Sequence, residues 1–482
     1  MSTPGADRPL MSGPLHPLLG LVAVVLLFAS GCATRPVNPP ITQVDPTAGY
    51  RFTTHERAGT SKENLIILAF SGGGTRAAAF AYGVLEALRP MVVVGPKGNR
   101  GRLLDEVDLV TGVSGGSFTA LAFGLYGEHL FDIYETSFLK RNVQGEIIRS
   151  VLSPAHWGAW GRTEAAADLY DEILFHGATF ADLERANGPF VVATATDIST
   201  GARVGLNQGT FDFLCSNLDS VRLSRAAAAS SAVPFAFSPV TLNNYGGTCN
   251  QTLPPYLKIF SDPAAAPRPA ARVLARLADL NSFSDSTNRP YIHLLDGGLS
   301  DNLGMRGVLE VLDTLEAASV LGQPTPLDSV RRIVVFIVNS RSSPATKWDE
   351  SEYPPGSLSL LIKATGVPID HYSYDTVETL RDTVARWDAM RRVRESKALA
   401  ANTDPEVARL LRSPNVRLYA IDVSFEALAD PAEREYLNNL PTSFVLPPEA
   451  IDRLRAAAAK VVRESPEFKR LLEEAGARIV EE

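Results

Sequence analysis

The chain has 482 residues, 45% of them hydrophobic and 21% charged, the composition of an ordinary globular protein that can bury a large core. A net charge of −8, without a long block of Lys and Arg, excludes nucleic acid or another polyanion as the partner. The one basic cluster, Arg391-Arg392-Val393-Arg394, falls in a charge-mixed helical pattern and reads as a solvated face.

In chain order, residues 18–29 form an apolar run too short to span a bilayer but suited to the core of a signal peptide. The run ends in Ser30-Gly31-Cys32, and small residues before a cysteine resemble a bacterial lipoprotein signal. That reading makes residues 1–31 a leader and Cys32 the acylated first residue. It places the protein in the cell envelope, anchored by lipid and facing the periplasm, at the outer membrane. Ala29 stands where such signals usually have leucine, and Arg8 is the only Lys or Arg ahead of the run; a cleaved secretory signal with an incidental cysteine is the alternative. Residues 32–60, rich in proline and small polar residues as far as 49, are expected to be a tether that need not fold.

From there, β-prone apolar runs at 65–70, 107–111, 190–196, 291–295 and 333–338 alternate with helical patterns. Such alternation predicts an α/β fold of parallel strands with helices on both faces. The first run leads into Ser71-Gly72-Gly73-Gly74-Thr75-Arg76 and then a helical pattern over 77–88. Amides at a strand-glycine-helix junction face outward with the helix dipole behind them, which suits an anion or a developing oxyanion. The Lys-Ser or Lys-Thr of a phosphate loop is missing.

The second run leads into Gly112-Val113-Ser114-Gly115-Gly116 and a helical pattern over 118–125, the strand-turn-helix order of a nucleophile elbow. Gly112 and Gly116 remove side chains that would crowd the turn; an ordinary N-capping serine is the bland alternative. Residues 127–180 read as helical, an insertion or outer helices, within which Trp157 and Trp160 are assigned to packing. Cys215 and Cys249 lie among turn-forming residues, and sequence leaves a bridge and two separate thiols equally open. Residues 261–271 read as an exposed loop, and Asp296-Gly297-Gly298 ends the fourth run. Beyond 339 come a polar stretch, a long helical pattern over 376–397, a strand-like run at 416–424 and terminal helices. In these, Ile451, Leu454, Ala458 and Val461 make one packing face.

A serine hydroxyl needs a base to accept its proton. The chain has seven histidines, and none outside the leader falls in a motif that marks such a base. His293 lies three residues before Asp296, on the opposite face of a regular strand, and reads as structural. Asp296 is the candidate base, provided burial raises its proton affinity from the ordinary carboxylate value of about 3.9.

In this order and spacing the three turns resemble the signatures of the patatin-like phospholipase family, over residues 64–339. The small-residue run Ala226 to Pro234 is similar to a segment of the same family. The resemblance implies a three-layer α/β/α domain with a mostly parallel central sheet, here residues 61–345, followed by a mostly helical C-terminal extension, 346–482. It implies Ser114 as nucleophile, Asp296 as its dyad base and the amides of Gly72, Gly73 and Gly74 as oxyanion donors. Arg76 looks like the arginine beside that hole, with a structural salt bridge as the alternative. Gly297 and Gly298 complete the aspartate turn, and Asn302 resembles an asparagine that steadies it. The family usually has an acidic residue where Ser71 stands and a glycine where Ala77 stands, differences on the flank of the hole that bear on substrate fit. A phospholipid or other acyl-ester lipid is the implied substrate, with no cofactor and no metal. Transfer of the acyl group to an acceptor other than water, or an inert scaffold, are the rival readings.

Overall fold

A computed structural model describes residues 38–55, 57, 60–96, 98, 100–152, 161–264, 271–325, 327–346, 348–400 and 404–481. The leader, Cys32, Trp157 and Trp160 lie outside the described residues, as do 265–270 of the expected loop.

The elements that position the site are β1 (Asn64–Phe70), α1 (Gly74–Leu88), β2 (Val107–Val113), α2 (Gly115–Tyr126), β3 (Phe190–Asp197), α3 (Leu223–Ser230), β4 (Val240–Asn243), β5 (Tyr291–Asp296), α4 (Arg306–Leu321), β6 (Arg332–Asn339), α5 (Ser357–Glu395), β7 (Arg417–Ser424) and α6 (Pro448–Glu464). The main sheet runs β7-β6-β1-β2-β3-β5-β4, and its eighth strand, Arg203–Leu206, pairs with β3. From β7 to β3 every pairing is parallel.

Side-chain alternation along β1 builds the three layers. Ile66, Leu68 and Phe70 share a core with Phe80 and Leu85 of α1, Leu121 of α2 and Leu454 of α6. Leu65, Ile67 and Ala69 face the other way, into a core with Leu309 and Leu312 of α4 and Leu380 and Trp387 of α5. A strand covered on both faces reads as a continuous apolar run, which is why this segment shows no polar alternation. The fold is the three-layer α/β/α arrangement, with a mostly parallel sheet and a helix-rich C-terminal region.

Three details differ from the expectation. Strand β5 runs antiparallel to both β3 and β4, although a helix, Ala271–Ser282, lies between β4 and β5 in the chain. The run at 416–424 becomes β7, paired with β6 along its whole length, so the C-terminal region supplies an edge of the central sheet as well as helices. Finally, residues 38–55 of the expected tether are fastened to the domain. Asn38 is buried and donates to Ser216 Oγ and the Asn243 carbonyl, both at 2.8 Å. Tyr50 is fully buried, and its hydroxyl accepts from the Val191 amide at 2.6 Å. Proline-rich chain without periodicity can still be held by individual hydrogen bonds and one aromatic anchor, and composition carries no sign of either.

Candidate active site

The carboxyl ends of strands β1, β2 and β5 bring the three turns together at one end of the sheet. Ser114 sits between β2 and α2 at φ 49°, ψ −122°, a region that non-glycine residues rarely enter and that is kept only where surrounding structure enforces it. It occupies the N-cap position of α2 but makes no capping bond. Its hydroxyl instead donates to Asp296 Oδ2 at 2.8 Å, across a separation of 182 residues.

The turn tolerates no bulk. A Cβ at Gly116 would come 2.6 Å from the Ser71 carbonyl oxygen, and one at Gly112 would come 2.7 Å from Ser117 Cα. On the aspartate side, a Cβ at Gly297 would meet the Thr194 carbonyl oxygen at 2.1 Å, so β5 reaches β3 only because that position is bare. Gly298 donates its amide to Asp296 Oδ1 at 2.7 Å, which leaves Oδ2 to the serine. Both side chains are buried, Ser114 at 5% exposure and Asp296 at 7%. Burial pushes the Asp296 carboxyl up to about 6, against the lowering effect of the bonds from Gly298 and Ser114.

Ser230, at the end of α3, ties the two turns together. Its Oγ accepts the Ser114 amide at 2.9 Å and donates to the Thr194 carbonyl at 2.6 Å. Its own carbonyl accepts the Gly297 amide at 3.0 Å, and the Ala232 carbonyl takes the Asp296 amide at 3.0 Å. One short segment therefore holds the strained backbone of the elbow and the strand end of the aspartate. Sequence placed Ser230 within a small-residue run but offered nothing to distinguish it from Ser231 beside it.

The glycine turn differs from expectation at one position. The Gly72 amide donates to the Asn302 carbonyl at 2.9 Å, so it is committed to structure and is removed from the set of oxyanion donors. Among the described residues the amides of Gly73 and Gly74 have no protein acceptor. Both residues have positive φ, 141° and 61°, and they are the N-cap and first residue of α1, whose dipole adds to their pull on an anion. Gly72 packs so near the elbow that a Cβ there would lie 3.4 Å from Ser114 Cβ.

Arg76 is buried, and its guanidinium donates to the Ser340 carbonyl at 2.7 Å and the Leu440 carbonyl at 2.9 Å. Its guanidinium lies beside Gly73 but is bonded to main-chain carbonyls, and among the described residues no carboxylate pairs with it; burial lowers it to about 10. The next amide back, Thr75, donates to the Ser443 carbonyl at 2.8 Å. Ser71 meets the Ser340 amide through its hydroxyl at 2.9 Å. Asn302 is pinned in turn by Tyr372 of α5, whose hydroxyl accepts the Asn302 amide at 3.0 Å and donates to the Gly298 carbonyl.

His293 bonds to Thr241 Oγ1 at 3.0 Å, away from the serine. Cys215 and Cys249 are joined as a disulfide, with Cα atoms 5.5 Å apart. Among the described residues no group of three or more His, Cys, Asp or Glu side chains is placed to hold a metal ion. A cavity of about 810 Å³ opens between α5, β7 and α6, lined by Arg341, Arg381, Asp422 and Phe425; neither Ser114 nor Asp296 reaches it.

Residues 68–309, half of the chain and all three turns, match the family model described as patatin-like phospholipase. The chain belongs to the patatin-like phospholipase family. No curated protein matches its sequence. Among solved structures it is similar to human GIVD cytosolic phospholipase A2, at 11% identity and a TM-score of 0.40 over 86% of this chain and 62% of that one. VipD from Legionella pneumophila aligns at 11% identity and a TM-score of 0.27, over 95% of this chain and 74% of that one. This family member spans about three fifths of the length of the human enzyme. Likeness at these scores adds nothing about the site.

Proposed function

We propose that the chain is a serine lipid acyl hydrolase of the phospholipase A or lysophospholipase type. The observation that carries this reading is the 2.8 Å bond from the strained Ser114 to the buried Asp296 carboxylate. Asp296 Oδ2 accepts the proton as Ser114 Oγ attacks the ester carbonyl, while Gly298 steadies the other carboxylate oxygen. The oxyanion that forms is held by the amides of Gly73 and Gly74, with α1 behind them. Asp296 then returns the proton to the departing alcohol, and water, activated by the same carboxylate, releases the acyl group from Ser114. Family membership and the apolar N-terminal run support lipid as the substrate class. In the same reading Cys32 carries a lipid anchor that keeps the enzyme at the envelope, facing the periplasm.

The test is to incubate the purified protein and its Ser114→Ala variant with a mixed bacterial lipid extract and to read products by mass. Free fatty acid and lysolipid should appear with the parent alone. Equal product from the variant, with its fold intact, refutes the assignment.

A further inference from the structure

The two halves of α5 face different surroundings. From Leu380 to Trp387 the helix packs against the sheet and presents charge to water, with Arg381 paired to Asp422 and Arg386 to Glu316. Its first turns reach beyond that support. Between residues 357 and 372 no described side chain is buried, and Leu360 and Val367 are 47% and 41% exposed. Just ahead of the helix, Tyr353 is 74% exposed.

The composition of this stretch is wrong for water. Residues 356–369 read Gly-Ser-Leu-Ser-Leu-Leu-Ile-Lys-Ala-Thr-Gly-Val-Pro-Ile, with Lys363 as the single charge. A helix this apolar is normally covered by protein or by lipid. It is too short to span: thirteen residues from Ser357 to Ile369 rise about 20 Å, against a hydrocarbon core of about 30 Å. Consistent with that, among the described residues no helix is long and apolar enough to cross a membrane. A coiled coil with a second copy fits poorly. Leu360 and Val367 are seven apart, but the positions that should supply the other row of the seam are Lys363, Ala364, Asp370 and His371. What remains is an interfacial helix with a tyrosine at one end and a lysine to meet lipid phosphate.

Its root is at the active site. Tyr372 bonds to both Asn302 and Gly298, and the Gly298 amide holds Asp296. A surface that takes up the first turns of α5 therefore lies beside the turn that carries the carboxylate. We propose that residues 357–369 lie in the headgroup layer of a phospholipid bilayer and hold the end of the sheet that carries Ser114 and Asp296 against it. The inference rests on the lipid-hydrolase reading above and assigns the part of the chain that meets the lipid surface.

The test uses the full chain carrying Cys32→Ala and Ser114→Ala, so that neither an acyl anchor nor turnover contributes. A polarity-sensitive fluorophore is attached at Leu360→Cys, at Val367→Cys, or at Arg185→Cys, a control whose native side chain is 71% exposed just ahead of β3. Adding vesicles of phosphatidylethanolamine and phosphatidylglycerol should shift both α5 labels to the blue and make them quenchable by brominated acyl chains, with the control unmoved. Labels that stay in water overturn the proposal, as does a shift that needs no vesicles and grows with protein concentration, the mark of a second copy. In the active chain, Leu360→Asp with Val367→Asp should slow hydrolysis of vesicle phospholipid by about tenfold or more, the loss expected when two apolar anchors are removed. Cleavage of a soluble short-chain ester should stay within about twofold of the parent, because both residues lie outside the catalytic turns. Equal loss on both substrates counts against docking. Should the parent cleave neither ester, the hydrolase reading fails by itself, and the labels still decide whether α5 meets lipid.

Discussion

The elbow after β2 and the glycine turn after β1 are both strand-to-helix junctions, yet they are held by different parts of the chain. Ser114 is fixed by Ser230, Thr194 and the aspartate turn, all inside the segment that matches the family. The glycine turn is fixed largely from outside that segment, by the carbonyls of Ser340, Leu440 and Ser443. A Cβ at Gly74 would in fact strike the Ser443 carbonyl oxygen at 2.3 Å. The proposed nucleophile and base are thus held mainly from within that segment, with Tyr372 bonding the Gly298 carbonyl from outside it, whereas the shape of the glycine turn depends more heavily on the C-terminal region. Changes to the first should remove chemistry from a stable protein, and changes to the second should disturb both.

The largest effect is expected at Asp296. Asp296→Asn leaves the serine without a base, and kcat should fall by about three orders of magnitude or more. The same variant has a signature in stability. The folded-state carboxyl sits at about 6, above its ordinary value, so the ionised form is disfavoured in the folded protein; this penalty is full above pH 6 and absent below the unfolded value. Asp296→Asn should therefore gain stability relative to the parent at pH 8 compared with pH 4, by up to about 3 kcal/mol. In the parent, kcat/KM should rise with pH through about 6 and level off above it, as Asp296 becomes ionised. A flat profile from pH 5 to 8 would show that this carboxylate is not the base.

Next comes Arg76→Ala, which strands two buried carbonyls and should destabilise the fold by about 2–5 kcal/mol while lowering kcat by about tenfold or more. Denaturant melts and steady-state rates should move together here, in contrast to Asp296→Asn. A smaller change is expected for Ser230→Ala, which removes the acceptor for the Ser114 amide. It should lower kcat by about tenfold with KM nearly constant, since the hydroxyl orients the nucleophile without facing substrate. If the loss falls on KM instead, the positioning role assigned to Ser230 is wrong.

The same contrast explains what could be read in advance. Buried strands announce themselves as short apolar runs, and glycine-rich junctions are local, so β1, β2, β3, β5 and β6, together with Ser114 and Asp296, stand out from residues close in sequence. The equivalence of three adjacent glycines breaks only when Asn302 arrives to take one amide, which no spacing encodes. The partners of Arg76 are main-chain carbonyls, and a carbonyl has no residue type. The run at 416–424 is strand-like in composition, but its place beside β6 follows from packing across the whole domain. Likewise the anchoring of residues 38–55 depends on Asn38 and Tyr50 finding partners more than a hundred residues away.

Ser114, activated by Asp296, is the proposed nucleophile. The most direct test of that role is to treat the folded protein with a fluorophosphonate and locate the adduct by peptide mass. A single modified residue, Ser114, is expected, with labelling abolished in Ser114→Ala and sharply slowed in Asp296→Asn. An unlabelled folded protein, or an adduct on another serine, would contradict that assignment.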